Sequence, residues 1–358
     1  MNLTDVLHAV DVHAEGELTR VVVGGLPPLR AGITMADQRL ALLKDDSLRR
    51  YLLGEPRGHL CLHAVCVYPP AHPDAAAGIV IMESTDYPAM SGSNLICTAT
   101  ALLETGMVAM QEPITEFAIE TPAGLVPVRA ECRNGSCERV QFENVPAYVV
   151  GLDLPLQLPE WGEVRVDVAW GGAFFAFVDT AQFGLEIIPP QADRLSDLGS
   201  RITRAAAEQI PAQHPLRPEL HTITFTTFTG PPRAGGDGRN ATVVSPGRLD
   251  RSACGTATCA RLAILHARGE IAPGEEYVHE SVISSTFVGR VEGLTGIGGI
   301  PAVRPSISGR GWLTGIHQLG RDRRDPLGVG FALSDTWRGA NADWTIEVAG
   351  SKNLATGV

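Results

Sequence analysis

Asp250-Arg-Ser-Ala-Cys-Gly-Thr-Ala-Thr-Cys259 is a polar, turn-forming run that delivers a cysteine to the head of an apolar helix, Ala260 to His266. Met90-Ser-Gly-Ser-Asn-Leu-Ile-Cys97 has the same layout: a small nucleophilic side chain, a glycine, a small hydroxyl residue, then a helix over Thr98 to Thr105. Ser91 and Cys254 stand 163 positions apart, and so do the helix-ending glycines Gly106 and Gly269. An offset shared by both ends of a helix implies an internal repeat. It sets the two turns facing each other across one site the size of an amino acid.

Working outward, short valine- and threonine-rich runs separated by Gly and Pro read as strands. They cover 6–25 (two strands about a Gly-containing turn), 59–68, 78–83, 115–130, 140–150, 164–170, 173–179, 221–228, 241–245, 282–291 and 301–313, with a last strand at Trp344 to Val348. Apolar spacing predicts helices over Ala36 to Leu53 and Ala192 to Gln209. The loop 230–238 is rich in Pro and Gly. Many strands with few helices predict an α+β fold of two pseudo-symmetric domains, each a curved sheet around a central helix. The expected division is 1–145 plus 325–358 for the domain carrying Ser91, and 146–324 for the domain carrying Cys254. His13, Glu15, Glu17 and Arg20 crowd the first turn and read as a solvated hairpin tip.

The bulk properties narrow the function. A net charge of −11 with no basic run argues against nucleic acid as the partner. No apolar stretch is long enough to predict a membrane span. The start has no basic region leading into an apolar run, so a cytoplasmic protein with reduced thiols is expected. Cys132 and Cys137 flank a hairpin turn, but no second Cys/His pair follows at zinc spacing, so no metal is expected.

A helix N-terminus offers unpaired N–H groups and the positive end of a dipole, a natural seat for a carboxylate. Gly92 and Gly255 admit close backbone approach, and Ser93 and Thr256 add hydroxyl donors. The same dipole favours a thiolate, so Cys254 is expected to act as a base near neutral pH. Ser91 is a poor base unaided; its bland reading is an N-cap, and that of Cys254 a small buried hydrophobe. Cys97 and Cys259 read as core residues. Asp250 is placed either to cap the turn or to hold a substrate ammonium.

The stretch Asp-Arg-Ser-x-Cys-Gly-Thr-x-Thr at 250–258 resembles the second active-site motif of the proline racemase superfamily. Met-x-Gly-x-Asn at 90–94, Glu55-Pro-Arg-Gly-His59, Gly171-Gly-x-Phe-Phe175, Pro305-Ser-Ile-x-Gly309 and Asp11-x-His-x-x-Gly-Glu-x-Thr-Arg20 resemble further family motifs. The resemblance implies a diaminopimelate-epimerase-like fold and cofactor-free chemistry at the α-carbon of a small imino acid. It places Ser91 where racemases carry their first catalytic cysteine and makes Cys254 the second. Gly92, Ser93, Gly255 and Thr256 become carboxylate ligands, Asp250 the ligand of the ring nitrogen, and His221 a substrate contact. A homodimer is the assembly left open.

Three departures stand out: Ser91 for a cysteine, Ser93-Asn94 for a His-containing pair, and Ala253 for a proline. The Ser/Cys pairing resembles members that dehydrate trans-3-hydroxy-L-proline to Δ1-pyrroline-2-carboxylate. The alternatives are a 4-hydroxyproline 2-epimerase and a non-catalytic imino-acid binding protein. Family convention makes Ser91 the proton acceptor and Cys254 the donor, whereas acidity favours Cys254 as the base.

Overall fold

A computed structural model describes residues 3–29 and 32–337. The strand expected at 344–348 lies outside the described residues. The first unit runs β1 (Leu3–Ala14), β2 (Glu17–Gly24), α1 (Met35–Lys44), α2 (Ser47–Leu53), β3 (Leu62–Tyr68), β4 (Ala77–Met82), α3 (Gly92–Glu104), β5 (Ile114–Thr121), β6 (Gly124–Arg133) and β7 (Ser136–Glu143). The chain continues through β8 (Tyr148–Leu158), β9 (Gly162–Trp170), β10 (Phe174–Asp179), α4 (Ala192–Gln209), β11 (Ile223–Gly230), β12 (Gly238–Val244), β13 (Arg248–Leu249) and α5 (Gly255–Ala267). It ends on β14 (Glu276–Glu280), β15 (Thr286–Ile297), β16 (Ile300–Gly309) and β17 (Gly311–Asp322).

The strand pairing repeats. β1 and β2 are antiparallel, as are β9 and β10. A helical crossover then makes β2 parallel to β3 and β10 parallel to β11. β3–β4 and β11–β12 are antiparallel. The motif helices intervene, and β4 is parallel to β5 as β12 is to β14. Antiparallel meanders β5-β6-β7 and β14-β15-β16 complete each unit.

The units also exchange a strand. β8 follows the first meander and pairs with β9, while β17 follows the second and pairs with β1. β7 and β16 join the two units directly. Strand pairing therefore returns to the first unit at Gly311, whereas the expected division kept residues up to 324 in the second.

The α+β class is as expected, with α3 and α5 as the central helices. Every residue of α3 from Gly92 to Leu103 is buried, because no charge interrupts it before Glu104 and a helix apolar on all sides belongs inside. Leu95, Ile96, Ala99 and Leu102 share one core with Leu262 and Leu265 of α5 and with inward-facing Val21, Val65, Ile79 and Ile81. Truncating one such leucine to alanine costs about 2–5 kcal/mol.

Boundaries differ where turn chemistry was concealed. α3 starts at Gly92 rather than Thr98, because Gly-Ser-Asn forms its first turn. The run 115–130 is a hairpin turning at Pro122-Ala123, and the run 301–313 breaks at Arg310. The helix expected over 36–53 is two helices, with Asp46 between them accepting from Arg49.

Candidate active site

The two turns meet. A Cβ built on Gly92 would lie 3.5 Å from the Cα of Gly255, and one built on Gly255 the same distance from Gly92. Helices α3 and α5 thus abut at their N-termini, each headed by a candidate catalytic side chain. Ser91 and Cys254 occupy the N-cap positions, but neither side chain makes a capping hydrogen bond. The first-turn N–H groups are therefore not satisfied by the usual cap. Gly171 and Gly172 pack against α5, where a Cβ on Gly171 would run into the Thr256 carbonyl and the Ala260 nitrogen.

The Cys254 turn is strained and tightly held. Cys254 adopts φ 57° and ψ 107°, a left-handed conformation that costs a non-glycine residue about 1–3 kcal/mol. Its N–H donates to Ser252 Oγ at 3.1 Å, and its carbonyl accepts from Thr258 N at 2.8 Å and Thr258 Oγ1 at 2.9 Å. Asn240 donates to the neighbouring Ala253 carbonyl at 2.7 Å. Asp250 Oδ1 accepts from both Ser252 N and Ser252 Oγ at 2.8 Å, so Asp250 shapes the turn. Cys254 Sγ lies 3.7 Å from Thr256 Oγ1.

Burial pushes the Cys254 thiol well above its usual range, and the Asp250 charge pushes it further. The nearby Ala257 amide and Thr256 hydroxyl pull the other way without overcoming the shift. This corrects the expectation of a base near neutral pH. The helix end acts as foreseen, but at 8% exposure desolvation outweighs it.

Ser91 is half-buried and its Oγ accepts a hydrogen bond from Asn94 Nδ2 at 2.9 Å. Asn94 is fully buried; its Oδ1 accepts from Thr19 Oγ1 at 2.8 Å. Ser93 is 6% exposed, and Thr256 half-buried. His221 lies exposed just ahead of β11, with Nδ1 3.0 Å from its neighbour's carbonyl at Glu219. That contact is local, and His221 makes no hydrogen bond to the polar cluster.

The cluster has members that the sequence reading missed. Glu17, expected at a solvated tip, is 1% exposed and forms an ion pair with Arg248 Nη2 at 2.6 Å. It also accepts from the Arg251 amide at 2.8 Å, tying β2 to the Asp250 turn. Arg20 is buried too, donating to both oxygens of Asp11 at 2.9 Å. His63 lies between Glu17 and Asn94, and Glu83 borders Asn94 at 3.3 Å.

Burial would raise the Glu17 carboxyl, but the Arg248 guanidinium outweighs it and holds Glu17 below the usual range. Asp250 beside it goes the other way, raised first by burial and then by the Glu17 charge, against the pull of Arg248. Cys97 and Cys259 are buried as expected, which pushes each thiol up to about 12.

Direct comparison supports the resemblance. The proline racemase family model matches residues 9–332, and the chain belongs to that family. A hydroxyproline epimerase from Agrobacterium vitis, solved with bound trans-4-hydroxy-L-proline, is 42% identical with a TM-score of 0.86; the match covers 96% of this chain and 99% of that one. A probable proline racemase from Agrobacterium radiobacter K84, solved with bound carbonate, is 40% identical with a TM-score of 0.85, over 94% and 99% of the two chains. A PhzF-family phenazine biosynthesis protein from Bacillus anthracis shares the fold at 11% identity, with a TM-score of 0.56 over 88% and 99%. Among the described residues no helix is long and apolar enough to cross a membrane.

Proposed function

We propose that this protein removes water from trans-3-hydroxy-L-proline, giving Δ1-pyrroline-2-carboxylate, with no cofactor. The observation that carries this reading is the unequal pair: a thiol at the head of α5, and across from it a serine whose oxygen accepts from Asn94. The substrate carboxylate is held by the first-turn N–H groups of α3 and α5 together with the Ser93 and Thr256 hydroxyls. Asp250 takes the ring ammonium. That positive charge offsets the Asp250 charge, one of the two influences holding the Cys254 thiol neutral, and so favours the thiolate when substrate binds.

In the trans-3-hydroxy-L isomer the C2 hydrogen and the C3 hydroxyl lie on the same ring face, both opposite the carboxylate. One group on that face can therefore serve both steps. The Cys254 thiolate takes the C2 proton, and the carbanion is stabilised by the donors around the carboxylate. The C2 electron pair forms the C2=C3 bond and expels the C3 oxygen, which leaves as water with the proton handed back by Cys254. The enamine then tautomerises to the cyclic imine. Ser91, on the other face, is a far weaker acid than a thiol, so it seldom returns a proton to C2 before the hydroxyl leaves.

A second reading, 4-hydroxyproline 2-epimerase, is favoured by the 42% identity to the epimerase from Agrobacterium vitis. Product analysis separates the two. Purified protein given trans-3-hydroxy-L-proline is expected to form the pyrroline carboxylate; none formed, with inversion at C2 of 4-hydroxyproline instead, would replace the dehydratase by the epimerase.

A further inference from the structure

Asn240 and Ser252 are both fully buried and close on one peptide plane, the one that joins Ala253 to Cys254. Asn240 Nδ2 donates to the Ala253 carbonyl at 2.7 Å, and the Cys254 N–H donates to Ser252 Oγ at 3.1 Å. Neither bond is free to reverse, because a carbonyl only accepts and an amide N–H only donates. The Ser252 hydroxyl hydrogen is then left for Asp250 Oδ1, 2.8 Å away. The orientation of this plane sets φ at Cys254. The next plane belongs to α5, where the Cys254 carbonyl accepts from Thr258 N at 2.8 Å. The φ held, 57°, is one that residues with a Cβ avoid.

The internal repeat supplies a comparison. β4 pairs with β5 as β12 pairs with β14, Gly78 opposite Glu120 and Arg239 opposite Glu280. Asn240, next after Arg239, therefore corresponds to Ile79 in the first unit. Ser252, two residues before Cys254, corresponds to Ala89, two before Ser91. Ile79 and Ala89 have no polar side-chain atom, and Ser91 rests at φ −150°. Polar side chains stand at these two positions only in the unit whose N-cap residue is held at positive φ. Asn240 also carries a cost: its Oδ1 is buried with no hydrogen-bond partner among the described residues. The NH2 end is thus the part of the amide that the position uses.

We propose that Asn240 and Ser252 are positioning residues: together they clamp the peptide plane before Cys254, and the clamp fixes the line along which the thiol meets C2 of a bound imino acid. Released, the plane turns toward the negative φ that cysteine prefers, and the thiol leaves that line. This rests on the reading that Cys254 acts at C2.

Two variants open the clamp without altering the groups that hold the substrate. Asn240→Leu keeps the volume and removes the unpaired acceptor together with the donor. Ser252→Ala removes the hydroxyl but keeps the N–H of residue 252, from which Asp250 accepts at 2.8 Å. Each is expected to slow C2 deuterium exchange of trans-4-hydroxy-L-proline in heavy water by about 10–100-fold. Pyrrole-2-carboxylate has the carboxylate and the ring N–H but no C2 hydrogen, and its binding should change by less than about twofold. The double variant should lose little more than the weaker single, because both bonds hold one plane. Full exchange in either variant, or binding lost in step with exchange, would overturn the proposal. Should leucine at 240 cost the fold, Ser252→Ala decides alone.

A second measurement needs no substrate. Glycine takes positive φ without strain, so Cys254→Gly should melt above Cys254→Ala, and adding Ser252→Ala should remove that order. Alanine melting above glycine, or an order that Ser252→Ala leaves unmoved, refutes the clamp. If the unaltered protein exchanges no C2 proton of any proline, the functional reading fails instead, and the melting order still decides whether the plane is clamped.

Discussion

The Ser91 and Cys254 turns share a layout but hold their side chains differently. Ser91 sits in relaxed extended backbone at φ −150° and ψ 126°, half-buried, with its oxygen accepting from one amide. Cys254 sits in left-handed backbone, more deeply buried, with hydrogen bonds on both sides of its peptide unit. A residue held that firmly in a costly conformation is being aimed. In the proposed mechanism the acid–base load falls on the second turn. The first turn contributes N–H groups and a hydroxyl, with Asn94 behind it.

The strongest test of this asymmetry removes its active side. Cys254→Ser should lower C2 proton exchange by about 10³-fold or more, since a hydroxyl without an adjacent base cannot replace a thiolate. Deuterium incorporation into the substrate measures this. A variant retaining a tenth of the exchange would shift the base role to Ser91.

A smaller effect is expected when the asymmetry is erased. Ser91→Cys puts a thiol on both faces and should raise C2 inversion of 4-hydroxyproline by about 10–100-fold. The dehydrated fraction of trans-3-hydroxy-L-proline should fall as C2 is reprotonated more often. Chiral chromatography of both reactions reads the partition, and unchanged inversion would show that the first-turn nucleophile does not set it.

The pairing of the turns was legible because a repeat leaves a constant offset, here at both the start and the end of each motif helix. The partners of the turns were harder to see. Glu17, His63 and Glu83 follow strand parity: each shares its face with Val21, Val65 or Ile81, which pack toward α3. At the strand ends this inward face meets the polar N-terminus of α3 instead of its apolar flank, so charged residues occupy core positions. Alternation alone could have flagged His63, two residues before Val65, but a crowd of charges around a Gly turn reads first as solvated. The thiol was misjudged for another reason. A helix start is visible in sequence, and so is Asp250 four residues before Cys254, whereas the depth of burial arises only from packing.

That misjudged thiol supplies the subtlest expected change, from removing one charge. Burial and Asp250 both raise the Cys254 pKa. Asp250→Asn keeps the volume and the burial but deletes the negative charge, so the pH at which Cys254 ionises should fall. Alkylation of the Cys254 peptide followed against pH by mass spectrometry should show its rise at lower pH than in the unaltered protein, and a rise at the same or higher pH would mean burial acts alone. Stability should move with it. The folded-state pKa of Asp250 lies above its unfolded value, so its contribution is favourable below the unfolded pKa and is lost as pH rises through the folded one. At neutral pH the asparagine variant should therefore melt higher than the unaltered protein, an advantage that shrinks on acidification. Catalysis should fall despite the more easily ionised thiol, because the ring ammonium loses its counter-charge. A variant that is more stable, more readily alkylated and less active would show that Asp250 is kept for the substrate at the expense of both its fold and its thiol.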